Sequence, residues 1–200
     1  MLDLPIQVSL FNIDQASNVR AELIQLTSDI ANEKIDNSWW DAKITEKLEG
    51  KEADKHWNWH WLNGVYGDYL NWEAIAVQSA SGYIEGAITY RIDAKSQLSE
   101  GQGPVYVDRL AAAPRNRPWL VENPVFRGVG SILLLTAVRH SYQLGLKGRV
   151  LLDSLPSERT RNYYDNRGFE VTSEKDDGTI GYELPATAAE KWLQEQGEFL

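Results

Sequence analysis

Phe126-Arg127-Gly128-Val129-Gly130-Ser131-Ile132-Leu133-Leu134-Leu135 sets a pair of glycines directly against an apolar run. From Gly128 the spacing predicts a helix through Tyr142, with Gly145 as its stop. Two glycines let the backbone turn tightly and approach a ligand closely, and the first N–H groups of the helix they open have no acceptor within it. Such a turn is a ready phosphate site. Gly-x-Gly by itself marks many ordinary loops, so its neighbours decide its meaning. Upstream, residues 105–113 read as a strand; downstream, residues 149–152 read as another, followed by Tyr163-Tyr164-Asp165-Asn166-Arg167-Gly168-Phe169. The order and spacing of these four pieces carry the information.

Composition frames this reading. A chain of 200 residues suits one domain, and 42% hydrophobic against 24% charged residues is the balance of a folded globular protein. There is no cysteine, which excludes disulfides, thiolate metal sites and a cysteine nucleophile. A net charge of −9 argues against a protein that tracks nucleic-acid phosphates. No apolar run approaches membrane-spanning length, and the start of the chain lacks the basic and apolar regions of a signal peptide, so a cytoplasmic location is expected.

Along the chain, residues 4–10 read as a first strand. Val19, Leu23, Leu26 and Ile30 recur at helical spacing and predict a helix over 18–34, and residues 38–48 read as a second helix capped by Ser38 and ended by Gly50. In His56-Trp57-Asn58-Trp59-His60-Trp61 the indoles alternate with polar residues as strand side chains do, and they form either an aromatic wall over a cleft or a core under the N-terminal helices. His56 and His60 would share a helical face as metal ligands can, but no third ligand stands at a telling distance, and no metal is expected. Residues 72–78 and 83–92 read as a hairpin, the second strand with Glu85, Thr89 and Arg91 opposite a single buried face. Residues 114–125, with three prolines, fit neither helix nor strand and read as a mobile or partner-contacting segment. A helix over 157–166, strands over 169–172 and 179–184, and a final helix opened by a capping box at Thr187 complete the chain.

Strand, glycine turn, helix, strand and a helix ending Tyr-Tyr-x-x-x-Gly-Phe resemble the GNAT (Gcn5-related) N-acetyltransferase family, over about residues 72 to 184. The resemblance implies an α/β (α+β) fold with a mixed, mostly antiparallel sheet that splays at its centre, flanked by helices. It implies one domain, with residues 72–184 binding acetyl-CoA and a Trp-rich helical region over 1–70 on the acceptor side. The diphosphate would lie on Arg127, Gly128, Val129, Gly130 and Ser131, and the pantetheine arm along Leu110, Ala111 and Ala112. Ser157 and Thr160, at the start of the later helix, would add to the cofactor site. Tyr164 matches the tyrosine that protonates the departing thiolate, leaving Tyr163 to the core. Asp108 falls where many members carry a carboxylate that deprotonates the incoming amine, while pairing with Arg109 is its other reading; Glu73 and Glu85 are further candidates for that base. The implied activity is transfer of an acetyl group to a primary amine, small-molecule or peptide, by direct attack. A catalytically silent module that binds CoA or a partner is the alternative, and a homodimer is left open.

Three departures from the family pattern bear on single residues. Val125 stands where a Gln or Arg is common, the stretch 114–126 is longer than usual, and Ser157 replaces an asparagine seven residues before the tyrosine.

Overall fold

The computed structural model describes residues 2–41, 44, 52–99 and 103–196. Most of the second helix expected over 38–48, with Gly50, lies outside these. Nine strands form one mostly antiparallel sheet: β1 (Ile6–Asn12), β2 (Ser17–Gln25), β3 (Trp72–Ser79), β4 (Ile84–Arg91), β5 (Val105–Ala112), β6 (Phe126–Arg127), β7 (Val150–Ser154), β8 (Glu170–Glu174) and β9 (Ile180–Leu184). Their order is β6-β1-β2-β3-β4-β5-β7-β9-β8. The α-helices are α1 (Ser28–Ala31), α2 (Trp59–Tyr66), α3 (Val129–Gln143), α4 (Glu158–Asp165) and α5 (Ala186–Glu195). Packing divides the chain into a first unit, Met1–Thr89 with Arg109–Leu133, and a second, Tyr90–Asp108 with Leu134–Leu200.

In the first unit the N-terminal region is not mainly helical. Residues 18–25 belong to β2, which pairs antiparallel with β1 from Ile6↔Leu23 to Asn12↔Ser17. Val19, Leu23, Leu26 and Ile30 satisfy a helical period, but Val19, Ala21 and Leu23 satisfy the strand period equally, and Ala21 and Leu23 are each 1% exposed. The sheet decides between them. Helix follows only at α1, capped by Thr27, and continues as a π-helical turn, Asn32–Asp36. The Ser38 hydroxyl donates to Lys34 O. The stretch 56–61 forms no strand: a 3-10 turn, Ala53–His56, leads through extended Trp57 and Asn58 into α2, which Asn58 caps by accepting from Trp61 N–H at 2.7 Å.

The indoles of this region mostly fill a core. Trp39 and Trp59 meet edge to face at 6.2 Å and join Leu26, Ile35, Ala74, Ile84 and Ala111. Trp39 Nε1 donates to Ile84 O at 3.1 Å, so the buried polar atom is satisfied. Trp61 points outward, as does Leu70. β4 is buried on both faces, Glu85 and Thr89 included, where alternation in the sequence suggested one. Polar residues on its second face therefore need partners, and Glu85 has several.

In the second unit β5 pairs parallel with β7 over Val105–Val107. There Val105 N–H donates to Arg149 O; Ala113 N–H, of the same parity and just past the strand, donates instead to Glu85 O of β4. An unbroken strand sends one parity to one edge, so β5 shifts phase on the way, as a bulge makes it do. Ala112 thus turns its backbone away from β4. Further along the chain, α5 begins two residues before the expected capping box, with Pro185 at its N-cap and no side chain bonding there. Gly145, at φ +77°, follows α3 as its sequence suggests.

His140, on α3, is 2% exposed, shares a 2.9 Å hydrogen bond with Tyr90, and burial lowers its pKa to about 4. The unfolded imidazole titrates at about 6.5, so the neutral ring favours the fold above that pH, and this stability is lost as pH falls from 6.5 toward 4. The loss attributable to His140 is on the order of 3 kcal/mol. Thermal unfolding across this range should show a steeper decline in the wild type than in His140→Gln; equal slopes would assign the acid sensitivity to other groups.

Candidate functional site

The glycine turn lies in the first unit, and the packing of α3 fixes where it is. A Cβ on Gly86 of β4 would come within 2.5 Å of Val129 Cγ1 and 3.0 Å of Ala111 O, so only glycine lets the first turn of α3 rest on this strand. The first i to i−4 bond of the helix runs from Ile132 N–H to Gly128 O at 3.1 Å. The amides of Val129 and Gly130 precede it and lie at the positive end of a 15-residue helix. Gly128 has φ +87°, and nothing stands within 4 Å of a Cβ built there or on Gly130. The strained position is therefore Gly128; Gly130 is not in the left-handed region. Arg127 is exposed and lies over the Phe11 ring at 4.5 Å.

At the end of β5, Leu110 and Ala112 are half-buried and Ala111 is buried. The carbonyl of Ala112 is already taken: Arg117 Nε and Nη2 donate to it at 2.9 and 2.7 Å. This follows from the 114–125 segment, which is anchored at its start rather than loose. It opens as a 3-10 turn, Pro114–Asn116. Arg115 forks onto the fully buried Glu85 carboxylate, with Nε to Oε2 at 3.0 Å, and stacks on Tyr83 at 4.3 Å. Arg117 forks in the same way onto Asp54, reaches Glu52 at 2.8 Å, and is 5% exposed. Glu85 is thus committed to Arg115 and Asn116, which leaves it no lone role as a base. Burial raises the pKa of Glu73, a backbone hydrogen bond from Leu2 opposing.

The remaining candidates lie in the second unit. Tyr164 is 8% exposed, and its ring packs against Phe169 at 5.1 Å, Tyr163 at 5.3 Å and Tyr182 at 5.4 Å. Burial, chiefly, pushes its phenol well above the ordinary value; Tyr163 adds, Arg167 opposes, and Tyr182 adds. Tyr163, expected in the core, is the more exposed of the pair and carries Arg167 over its ring at 3.6 Å. Helical spacing admits either tyrosine inward; contact with β9 selects Tyr164. Ser157 and Thr160 are occupied in starting α4: Ser157 Oγ accepts from Thr160 N–H at 3.2 Å and the two hydroxyls share a 2.5 Å bond.

Asp108 is half-buried on the same face of β5 as Tyr106. The Tyr106 hydroxyl donates to Asp153 at 3.0 Å, and its pKa is raised to about 12 by burial first, then by Asp153 and Asp108, with Arg91 opposing. Lys175 closes on Asp153 at 2.8 Å. Arg109 lies over the Trp57 ring at 5.0 Å.

His60 Nδ1 lies 2.8 Å from Ser28 Oγ, and among the described residues no group of three or more His, Asp or Glu side chains converges as metal ligands. Nor is any described helix long and apolar enough to cross a membrane. Sequence reading missed two networks here: Asn116 with Glu85, and Arg117 with Glu52 and Asp54. Two arginines and an asparagine in a proline-rich stretch were their only visible trace.

No family model matches the chain, and no curated protein matches it. Solved structures do. The chain is similar to FdhC, a nucleotide-linked sugar GNAT, at TM-score 0.60 and 9% identity over 98% of this chain and 99% of that one. It is similar to the AtaT toxin, bound to acetyl-CoA and the C-terminus of the antitoxin AtaR, at 0.56 and 16% over 86% and 98%. A chimera of the spermidine N-acetyltransferase SpeG from Vibrio cholerae aligns at 0.56 and 12% over 84% and 97%. At these identities the likeness establishes the GNAT fold.

Proposed function

We propose that the chain is an acetyl-CoA-dependent N-acetyltransferase acting on a primary amine in the cytoplasm. The observation that carries this reading is the turn at Gly128: an open, positive-φ glycine at the N-terminus of a long helix, with amides and an exposed arginine to receive a diphosphate. The GNAT fold supports it. These residues fit acetyl-CoA, which supplies the activated acetyl thioester. Arg127, Gly128, Val129, Gly130 and Ser131 hold the diphosphate. Leu110, Ala111 and the N–H of Ala112 face the pantetheine amides, the Ala112 carbonyl being held by Arg117. Tyr164 keeps a proton on its phenol oxygen at working pH, as a general acid must, and Asp108 takes a proton from the amine directly or through water. Ser157 and Thr160 contribute by shaping the start of α4. The acceptor is a small-molecule or peptide amine, and the net charge of −9 favours a cationic one.

The test is calorimetric binding of acetyl-CoA followed by a screen of amines for CoA release. Gly128→Val places a β-branched residue at φ +87° at a cost of about 1–3 kcal/mol and blocks the turn. It should weaken acetyl-CoA by about 10-fold or more. Wild-type affinity in a folded Gly128→Val protein would sink the assignment. A second reading, a fold that binds CoA without turnover, is favoured by the burial of Tyr164 among three aromatic rings. Binding with no turnover on any amine would select it.

A further inference from the structure

Between the end of β5 and the glycine turn the chain makes an excursion whose base is closed by one buried amide. Asn116 is 8% exposed. Its Oδ1 accepts the Phe126 N–H at 3.1 Å, two residues ahead of Gly128. Its Nδ2 donates to the Glu85 carbonyl at 3.1 Å and to Glu85 Oε2 at 3.0 Å. Donor faces acceptor at both ends, which fixes the orientation of the amide. The same Glu85 carbonyl receives Ala113 N–H at 2.7 Å, immediately after the strand end at Ala112.

The turn needs such a tie. β6 is two residues long and pairs with β1 at Phe11↔Arg127 and Asn12↔Phe126, with Ile13 N–H donating to Val125 O at 3.0 Å just beyond. A ladder this short fixes little by itself. The neighbouring Val125 N–H reaches Arg115 O at a long 3.3 Å. The bond from Asn116 adds a buried side-chain tie to the backbone two residues before Gly128.

We infer that Asn116 is a positioning residue for the glycine turn, joining it through Glu85 to the end of β5, so that one amide sets two stretches of backbone that receive acetyl-CoA. This rests on the reading of that turn as the diphosphate site. Asn116 itself touches no substrate. Its effect is to hold Phe126, and so the direction in which Gly128 presents the first amides of α3.

Asn116→Leu keeps the volume and removes all three bonds. Without ligand, amide exchange at Phe126, Gly128 and Gly130 should accelerate by about 10-fold or more while the amides of β4 stay protected. Acetyl-CoA affinity should fall by about 10-fold or more. Leu193→Ala, a core truncation in α5 remote in sequence from the turn, is the control and should leave affinity within about twofold of wild type. An equal loss in Leu193→Ala would reduce the effect to general destabilisation and overturn the inference, as would unchanged exchange in Asn116→Leu. If Asn116→Leu does not fold, Asn116→Ser is read in the same way; if neither folds, Asn116 holds the fold rather than the turn and the inference falls. A wild type that fails to bind acetyl-CoA removes the functional reading, and amide exchange then decides the positioning role alone.

Discussion

Tyr164→Phe should slow acetyl transfer by about 10²–10⁴-fold with little change in acetyl-CoA affinity. The ring is held by Phe169, Tyr163 and Tyr182, and a phenylalanine keeps all three contacts. What disappears is the hydroxyl and its proton. Because those ring contacts survive, deleting the hydroxyl should cost little stability. Burial makes the phenol a weaker acid while guaranteeing that it is protonated at neutral pH, which is the state a thiolate leaving group requires. Turnover measured with saturating acetyl-CoA separates the cases. Undiminished turnover would show that another group supplies the proton, and a drop in melting temperature comparable to that of Tyr164→Ala would assign the residue to the core.

The parts of this molecule visible in its sequence are those whose signals are local. The turn at Gly128, the length of α3 and its stop at Gly145 depend on neighbouring residues, and the structure has them where spacing puts them. The hairpin of β3 and β4 and the β7–α4 succession are local in the same sense. Residues 17–25 fit two periods at once, and only pairing with β1 and β3 resolves them as a strand. The faces of α4 are likewise settled by what packs on them: Tyr164, more than Tyr163, turns its ring onto Tyr182 of β9. Least legible was the 114–125 segment. Its prolines read as a mobile or partner-contacting segment, but its arginines bind carboxylates 30 and 63 residues away in sequence. No periodicity encodes such partners.

That long-range pairing underlies the largest expected loss of stability. Arg117 lies with 6% of its side chain exposed against Asp54 at 7% and Glu52 at 14%, and it also bonds the Ala112 carbonyl twice. Removing one partner of a buried pair leaves the other charge without water or counterion, at a typical cost of about 3–5 kcal/mol. Arg117→Met should lose that much, since the Asp54 carboxylate and a strand-end carbonyl are stranded together, Glu52 keeping its bond from Trp119 Nε1, while the aliphatic volume is roughly kept. Trp40, which receives the guanidinium over its ring at 5.3 Å, loses that contact as well. The charges themselves need not be stabilising, because desolvating them offsets much of their attraction. Arg117→Met combined with Asp54→Leu should therefore recover a large part of the loss, a coupling measurable by a double-mutant cycle in urea. If the single variant loses less than about 1 kcal/mol, water reaches these groups and the segment is not clamped by them. If the loss is large but the double variant recovers nothing, the Ala112 carbonyl is the partner that matters, and the guanidinium serves the end of β5 more than it serves Asp54.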